Sequence, residues 1–215
     1  MAADRGRRLF LVRHGETTGQ SSIRYYGSTD LPLSEEGKQQ MRELGRCFDA
    51  TGIRFDLAIT SALQRSQEAA RLIAPNVCVR PLAEFNEIDF GDWEGLTEEE
   101  IHTLDPHAHA AWRRSSETFR YPRGESVALF RSRVWDAFEM LLPLLPESTL
   151  FVAHKGVIRT VLDRLLPSRS ERLELTIGLG SVQVLFQGPQ GWEPLVLDAT
   201  SHQLVAALTA RARLR

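Results

Sequence analysis

The chain has 215 residues, of which 42% are hydrophobic and 25% are charged, values typical of a folded globular protein and not of a disordered or fibrous one. Lys and Arg total 26 against 28 Asp and Glu, and this formal net charge of −2 excludes a global basic field that would attract nucleic acid or an anionic membrane. No apolar segment is long enough for a membrane span or a signal-peptide core, so we expect a cytoplasmic location.

The first third of the chain predicts two strands that alternate with two helices. Residues 7–14, RRLFLVRH, contain four consecutive apolar residues, which favour a parallel strand buried on both faces. Ser34 is a typical helix N-cap, and apolar residues at helical spacing continue from it to a stop at Gly52. Residues 55–61 predict the second strand and residues 62–74 the second helix, which Pro75 ends.

The remainder of the chain continues the alternation of strands and helices. Residues 77–81 predict a third strand, and the segment 82–97 that follows is irregular and rich in carboxylates, aromatics and glycine. Thr97 with Glu100 predicts a capped short helix, and Ser126 begins a long one. Residues 148–154 predict a strand, residues 156–166 a helix, and residues 181–187 and 192–198 two strands joined by a turn. Residues 204–215 fit either an amphipathic helix or a frayed basic tail.

This order of elements predicts an α/β fold, a three-layer sandwich with a mostly parallel central sheet flanked by helices. We expect one domain over residues 1–215, with a core of about residues 8–200 and short tails at both ends. The two cysteines, Cys47 and Cys78, are too few for a disulfide framework, and we interpret both as small buried apolar residues.

Two of the six histidines follow predicted strands. His14 comes after the first strand in Arg13-His14-Gly15, and His154 follows a later strand in His154-Lys155-Gly156. Ligands of open α/β sheets bind beyond the carboxyl ends of the strands, so we expect both rings at one edge of the sheet. The other four lack such a setting. We interpret His102, His107 and His109 as surface residues because only Asp105 stands near them to complete a metal site, and His202 lies outside any motif.

Six motifs in this order, LVRHGET, DLPLSEEGKQQ, TSALQRSQEAA, EIDFGDWEG, GES and VAHKGVIR, resemble the histidine phosphatase superfamily. More narrowly they resemble its phosphoglycerate-mutase-like branch, which includes α-ribazole phosphatase and the fructose-bisphosphatase domain. The resemblance extends from about residue 9 to residue 159, most of the chain.

The resemblance implies a catalytic set. It makes His14 the nucleophile that becomes phosphohistidine and places Arg13, Arg65 and His154 around the phosphate. Arginine forks match phosphate oxygens, so these positive side chains take the part of a metal ion, and we expect neither a metal nor another cofactor. The resemblance also makes Glu87 the acid that protonates the leaving oxygen and the base that later activates water. On composition alone, four neighbouring carboxylates remain alternatives: Glu84, Asp89, Asp92 and Glu94.

The predicted substrate-binding residues are Gln20, Arg24, Tyr25, Tyr26, Gly27 and Lys155. Gln20 stands where most relatives have asparagine, and Lys155 where most have glycine. Glycine at position 15 is expected to let the backbone approach the ligand. The helix start at Gly124-Glu125-Ser126 is a further candidate contact for an anion. Arg113 and Arg114 are similar to the pair with which mutases hold the glycerate carboxylate, and equally fit two solvated helix arginines.

The favoured function is a metal-independent phosphomonoester hydrolase that acts on a small phosphorylated metabolite. Two departures from the mutases support hydrolysis: Glu98 stands where they carry lysine, and the long insertion after the arginine pair is absent. The alternatives are a cofactor-dependent phosphoglycerate mutase and a catalytically silent binding relative. The expected partner is a small-molecule phosphate ester, with neither nucleic acid nor a membrane, and the sequence gives no indication of the oligomeric state.

Overall fold

A computed structural model describes residues 6–166 and 175–212, which form six strands and seven α-helices. The strands are β1 (Arg8–Arg13), β2 (Leu57–Ser61), β3 (Val79–Leu82), β4 (Ser148–Ala153), β5 (Val182–Gly188) and β6 (Gly191–Ala199). The helices are α1 (Glu35–Ala50), α2 (Gln64–Ile73), α3 (Glu98–Leu104), α4 (Pro106–Arg114), α5 (Val127–Leu141), α6 (Lys155–Leu165) and α7 (Ser201–Ala212).

The strands form one mixed sheet in the order β3-β2-β4-β1-β5-β6. The four strands from β3 to β1 in this order run parallel, and β5 and β6 add an antiparallel edge beside β1. The fold is therefore the predicted α/β sandwich. In the register of β1 and β4, Arg13 lies opposite Ala153. The residues that follow, His14 and His154, consequently leave the sheet side by side.

The apolar run of β1 is continuous because the sheet is covered on both faces. Leu9 and Leu11 pack with α5 and α6 on one side, whereas Phe10 and Val12 pack with α1, α2 and α7 on the other. All four side chains are at most 1% exposed. Burial of each contributes about 1.5–3 kcal/mol to folding, which fixes the end of β1 and with it the start of the following loop.

Side chains cap the helices at the predicted positions. Ser34 Oγ accepts the Gly37 amide at 3.0 Å at the start of α1, and Ser126 begins α5 in the same way. Thr97 and Glu100 form the predicted capping box of α3. The start of α4 was not predicted from the sequence. There Asp105 Oδ1 accepts the Ala108 amide, and proline occupies the first turn.

One cysteine differs from the prediction. Cys47 is partly buried, and its thiol donates to the Ser201 carbonyl at 3.3 Å, but Cys78 is exposed. The prediction that Cys78 is buried was wrong: Cys78 directly precedes β3, the edge strand of the sheet, and although its carbonyl accepts the Ala58 amide at 3.1 Å, its side chain is exposed.

The C-terminal segment forms the helix α7, although the end of the predicted segment, residues 213–215, lies outside the described residues. Within the ranges given above, no helix combines the length and the apolar character needed to cross a membrane.

Candidate active site

Two buried histidines meet where β1 and β4 end. The ring centroids of His14 and His154 are 5.1 Å apart, and neither residue is more than 4% exposed. Ser61, the last residue of β2, lies within hydrogen-bond distance of His154, with 2.8 Å between its Oγ and the ring Nε2. Three neighbouring parallel strands therefore contribute to one cluster at the carboxyl edge of the sheet, as expected for a ligand site.

A backbone contact fixes the tautomer of His14. Its Nδ1 lies 2.7 Å from the carbonyl oxygen of Gly15. Because a carbonyl oxygen only accepts hydrogen bonds, Nδ1 carries the proton and Nε2 keeps its lone pair in the neutral ring. Burial lowers the pKa of His14 well below its usual value, and the positive charges of Arg65 and Arg13 lower it further. His14 is therefore held in the neutral, nucleophilic form.

His154 is kept neutral by the same environment. Burial is again the main cause of its strongly lowered pKa, and the positive charge of Arg65 is the next largest cause. Its Nδ1 is buried without a hydrogen-bond partner in the part of the chain that the structure describes. The Ser61 hydroxyl is able to donate to Nε2, and in that tautomer Nδ1 carries the proton and is able to donate to an anion.

Two arginines surround the histidines. Arg13 donates through Nη1 to the Ile177 carbonyl at 2.9 Å. Arg65 is 0% exposed and donates to the carbonyls of Thr29 and Gly27 at 2.8 and 2.7 Å. Both Nε atoms are buried without a partner among the described residues. Arg13 lines the cleft, and the positive charge of Arg65 acts on both histidines.

Glu87 faces the histidines from the segment between β3 and α3. It is 7% exposed, and each carboxylate oxygen accepts one backbone amide, Oε1 from Ile88 at 3.0 Å and Oε2 from Gly156 at 2.8 Å. A Cβ at position 156 would lie 2.5 Å from Oε1, so a larger residue here would displace the carboxylate from this position. The first turn of α6 thus positions the carboxylate beside both histidines.

The other four carboxylates of this segment have structural roles or are exposed. Glu94 accepts the amides of Gly27, Ser28 and Thr29 and so holds the first loop. Asp89 accepts the Gly91 amide and the Ser28 hydroxyl, Asp92 pairs with Arg123, and Glu84 is exposed. Of the five candidates, Glu87 alone lines the cleft with His14. Geometry therefore separates residues that composition left equivalent.

An arginine supports the backbone that carries Glu87. Arg133, on α5, donates to the carbonyls of Glu84, Asn86 and Glu87 at 2.8 to 3.2 Å. Its guanidinium also forms two hydrogen bonds with the Glu125 carboxylate, at 2.8 and 2.9 Å. The GES segment consequently supports the segment that carries Glu87 through Glu125, and Ser126 caps α5.

The histidine cluster lies in a cleft of about 670 Å³. One wall is aromatic and includes Tyr25, Phe90, Trp112, Tyr121 and Phe130. Basic side chains also reach the cleft, and they are Arg13, Arg24, Arg131, Lys155 and Arg159. Four of the predicted substrate-binding residues, Arg24, Tyr25, Tyr26 and Lys155, line this cleft. Its size suits a small metabolite.

Two predicted substrate-binding residues do not line the cleft. Gln20 is exposed with φ of 63°, and its backbone carbonyl accepts the amides of Ile23 and Arg24 in a turn. Gly27 is buried and packs against the Ile88 backbone so closely that a Cβ there would lie 1.6 Å from the Ile88 carbonyl oxygen. The first residue shapes the loop, and the second allows two backbone segments to pack together.

Gly15 and the arginine pair also differ from their expected settings. A Cβ on Gly15 would lie 2.6 Å from the Gly37 carbonyl oxygen, so this glycine allows the first turn of α1 to pack closely and does not make room for a ligand. Arg113 and Arg114 are exposed on α4 and do not line the cleft. Arg113 lies 3.6 Å from Glu98, which also contacts His109.

Several residues of the cleft were not found by sequence reasoning. Trp112, Tyr121, Arg131 and Arg159 line it, Ser61 contacts His154, and the Gly156 amide contacts Glu87. Their positions depend on contacts between segments that are distant in the sequence. The one local indication of such a contact was Gly156, the glycine of the HKG motif. Within residues 6–166 and 175–212, no group of three or more His, Cys, Asp or Glu side chains is arranged to hold a metal ion.

Comparison with known proteins agrees with this geometry. Residues 9–200 match the histidine phosphatase superfamily (branch 1). A 2,3-bisphosphoglycerate-dependent phosphoglycerate mutase of Parvibaculum lavamentivorans is 34% identical over 186 residues, 80% of this chain and 87% of that protein. The adenosylcobalamin/alpha-ribazole phosphatase of Escherichia coli is 31% identical over 173 residues, 77% of this chain and 82% of the other. The crystal structure of the alpha-ribazole phosphatase from Shigella flexneri has a TM-score of 0.78 at 28% identity, covering 89% of this chain and 96% of that one.

Proposed function

This chain belongs to the histidine phosphatase superfamily, and from that premise we propose that it hydrolyses the phosphate monoester of a small metabolite through a phosphohistidine intermediate, without a metal ion. One observation carries the proposal. The unprotonated Nε2 of His14, the buried donors of Arg13 and His154, and the Glu87 carboxylate converge at one end of the cleft. This set contains a nucleophile, donors for phosphate oxygens and a proton carrier.

In the first step, the lone pair of His14 Nε2 attacks phosphorus, and the bond from phosphorus to the ester oxygen breaks. The leaving oxygen takes a proton from the carboxyl group of Glu87. Arg13 and Arg65 supply positive charge near the phosphoryl oxygens as the negative charge redistributes, and His154 donates through Nδ1. These groups are fixed by backbone contacts before a substrate binds, so little reorganisation accompanies the reaction.

In the second step, Glu87, now a carboxylate, removes a proton from water. The water oxygen bonds to phosphorus, the bond between phosphorus and Nε2 breaks, and inorganic phosphate leaves. The amides of Ile88 and Gly156 hold the carboxylate in the same place for both steps. One carboxyl group thus serves as acid and then as base.

A second candidate is a phosphoglycerate mutase, and the 34% identity with a protein of that name favours it. A mutase returns the phosphoryl group to a bound acceptor and must keep water away. Two features support hydrolysis instead. The connection between α4 and α5 is short, and Glu98 lines the cleft at a position where the resemblance places a mutase lysine.

The test is phosphate release from a panel of metabolite phosphates, with chelator present, by the wild type and by His14→Ala. We expect one or more substrates to be hydrolysed and the variant to be at least about 10³-fold slower. His107→Ala, at an exposed histidine of α4, is the matched control and should retain full activity.

The competing functions give different results. Isomerisation of 3-phosphoglycerate without phosphate release, followed by phosphorus NMR, would identify a mutase. If the protein neither releases phosphate nor isomerises 3-phosphoglycerate, the remaining function is that of a catalytically silent binding relative. Loss of activity in chelator that added magnesium restores would refute the metal-independent route.

A further inference from the structure

Lys155 occupies the first position of α6, directly after His154, and lines the cleft. Helical side chains point back toward the N-terminus, which here is the carboxyl edge of the sheet where the cleft lies. Its side chain is partly exposed, and its ammonium group has no hydrogen bond or ion pair with any residue in the described ranges. Lys155 therefore presents a positive charge to a bound molecule, with the carboxylates of Glu87 and Asp198 close enough to affect its pKa but not paired with it.

The local electrostatics disfavour a lysine at this position in the absence of an anion. The amino end of a helix is the positive end of its dipole, so a cation there is destabilising. Partial burial lowers the pKa of the ammonium group, and the positive charges of Arg13 and Arg159 lower it further, while the carboxylates of Glu87 and Asp198 oppose this shift only in part. An anion beside Lys155 would reverse this unfavourable interaction.

The other basic side chains of the cleft already have partners. Arg24 pairs with Glu100 at 2.7 Å, and Arg131 lies 3.4 Å from Glu117. Arg159 donates to the carbonyl of Leu175. These three side chains shape the walls of the cleft.

The charge of the transferred phosphate is matched without Lys155. A phosphate monoester carries up to two negative charges, and Arg13 and Arg65 supply two positive charges beside the histidines. The positive charge of Lys155 is additional to these.

We propose that Lys155 binds a second anionic group of the substrate, a carboxylate or a second phosphate, and so selects phosphate esters whose organic part is itself acidic. This inference rests on the proposed phosphatase function. The cleft is also lined by aromatic side chains and leaves room for an apolar or ring-containing link between the two anionic groups. Lys155 is then a residue that determines specificity, separate from the groups that perform the phosphoryl transfer.

The test compares two ligands of the same length, phosphoglycolate, which ends in a carboxylate, and ethyl phosphate, which ends in a methyl group. Inhibition constants are measured in competition with p-nitrophenyl phosphate for the wild type and Lys155→Gln. The wild type should bind phosphoglycolate at least about tenfold more tightly than ethyl phosphate, the size expected for one charge-assisted contact. Lys155→Gln should reduce this preference about tenfold and change ethyl phosphate binding less than twofold.

Ethylene glycol bisphosphate in the same assay distinguishes a second phosphate from a carboxylate. Lys38→Gln, at a half-buried lysine of α1 that pairs with Glu35 and does not line the cleft, is the control and should keep the wild-type preference. An equal weakening of both two-carbon ligands by Lys155→Gln would place Lys155 on the transferred phosphate and overturn the proposal. If Lys155→Gln keeps the wild-type preference for phosphoglycolate, Lys155 is a solvated residue without a ligand contact, and the proposal is also overturned. Absence of p-nitrophenyl phosphate hydrolysis would contradict the proposed function alone, and calorimetric affinities for the same ligands would then decide the role of Lys155.

Discussion

Acidification from pH 7.5 to 5.5 should destabilise the folded protein through His14 and His154. Both rings are buried and kept neutral by strongly lowered pKa values, whereas in the unfolded chain they titrate near 6.5. Below that pH the unfolded state binds two more protons than the folded state, so the free energy of unfolding falls as the pH falls. Each ring contributes about 1.4 kcal/mol over this interval, and the pair contributes about 2.7 kcal/mol.

Denaturant unfolding at the two pH values, in buffers free of phosphate, measures this loss. His14→Gln and His154→Gln should each remove about half of the pH dependence, and the double variant should remove nearly all of it. His107→Gln, at an exposed position, should leave the wild-type dependence unchanged. If the double variant loses as much stability as the wild type on acidification, the argument from buried neutral histidines is incorrect.

Three further predictions concern activity. Glu87→Gln should lower kcat/KM for alkyl phosphates by about 10²- to 10⁴-fold but act much less on p-nitrophenyl phosphate, whose leaving group needs no proton; equal losses would contradict the acid role. Gly156→Ala places a methyl group 2.5 Å from Glu87 Oε1 and should slow alkyl phosphate hydrolysis at least about tenfold, while Gly178→Ala, with 4.0 Å to its nearest neighbour, should not. Because the pKa of His14 is lowered, kcat/KM for p-nitrophenyl phosphate should stay level between pH 7 and 6; a fall of about threefold there would indicate an ordinary histidine.

The elements that sequence reasoning placed correctly have strong local signals. The run of four apolar residues in β1 indicates a strand buried on both faces of the sheet. Ser34 and Ser126 indicate helix starts because each caps its helix through a contact within one turn. The pairing of His14 with His154 also followed from local patterns, because parallel neighbours end at the same edge.

The elements that it missed depend on longer-range geometry or on ambiguous local signals. The Asp105-Pro106 pair fits a turn as well as the helix start that it forms in α4. The contact between Glu87 and the Gly156 amide joins segments 69 residues apart, and local spacing has no information about it. Gln20 occupies the motif position of a substrate contact, but its left-handed backbone belongs to a turn at the surface.

The position of β4 in the sheet has a consequence for synthesis of the chain. β4 lies between β1 and β2, although both precede it by a long stretch of sequence. At about 5–20 residues per second, the ribosome completes β4 roughly 5–20 seconds after β2, and until then two apolar strands have open edges in the nascent chain. Such late closure slows folding and exposes the partial chain to mispairing. A nascent chain arrested before residue 148 therefore keeps these strand edges open to mispairing, and it lacks both β4 and His154, so the histidine cluster forms only after β4 is inserted.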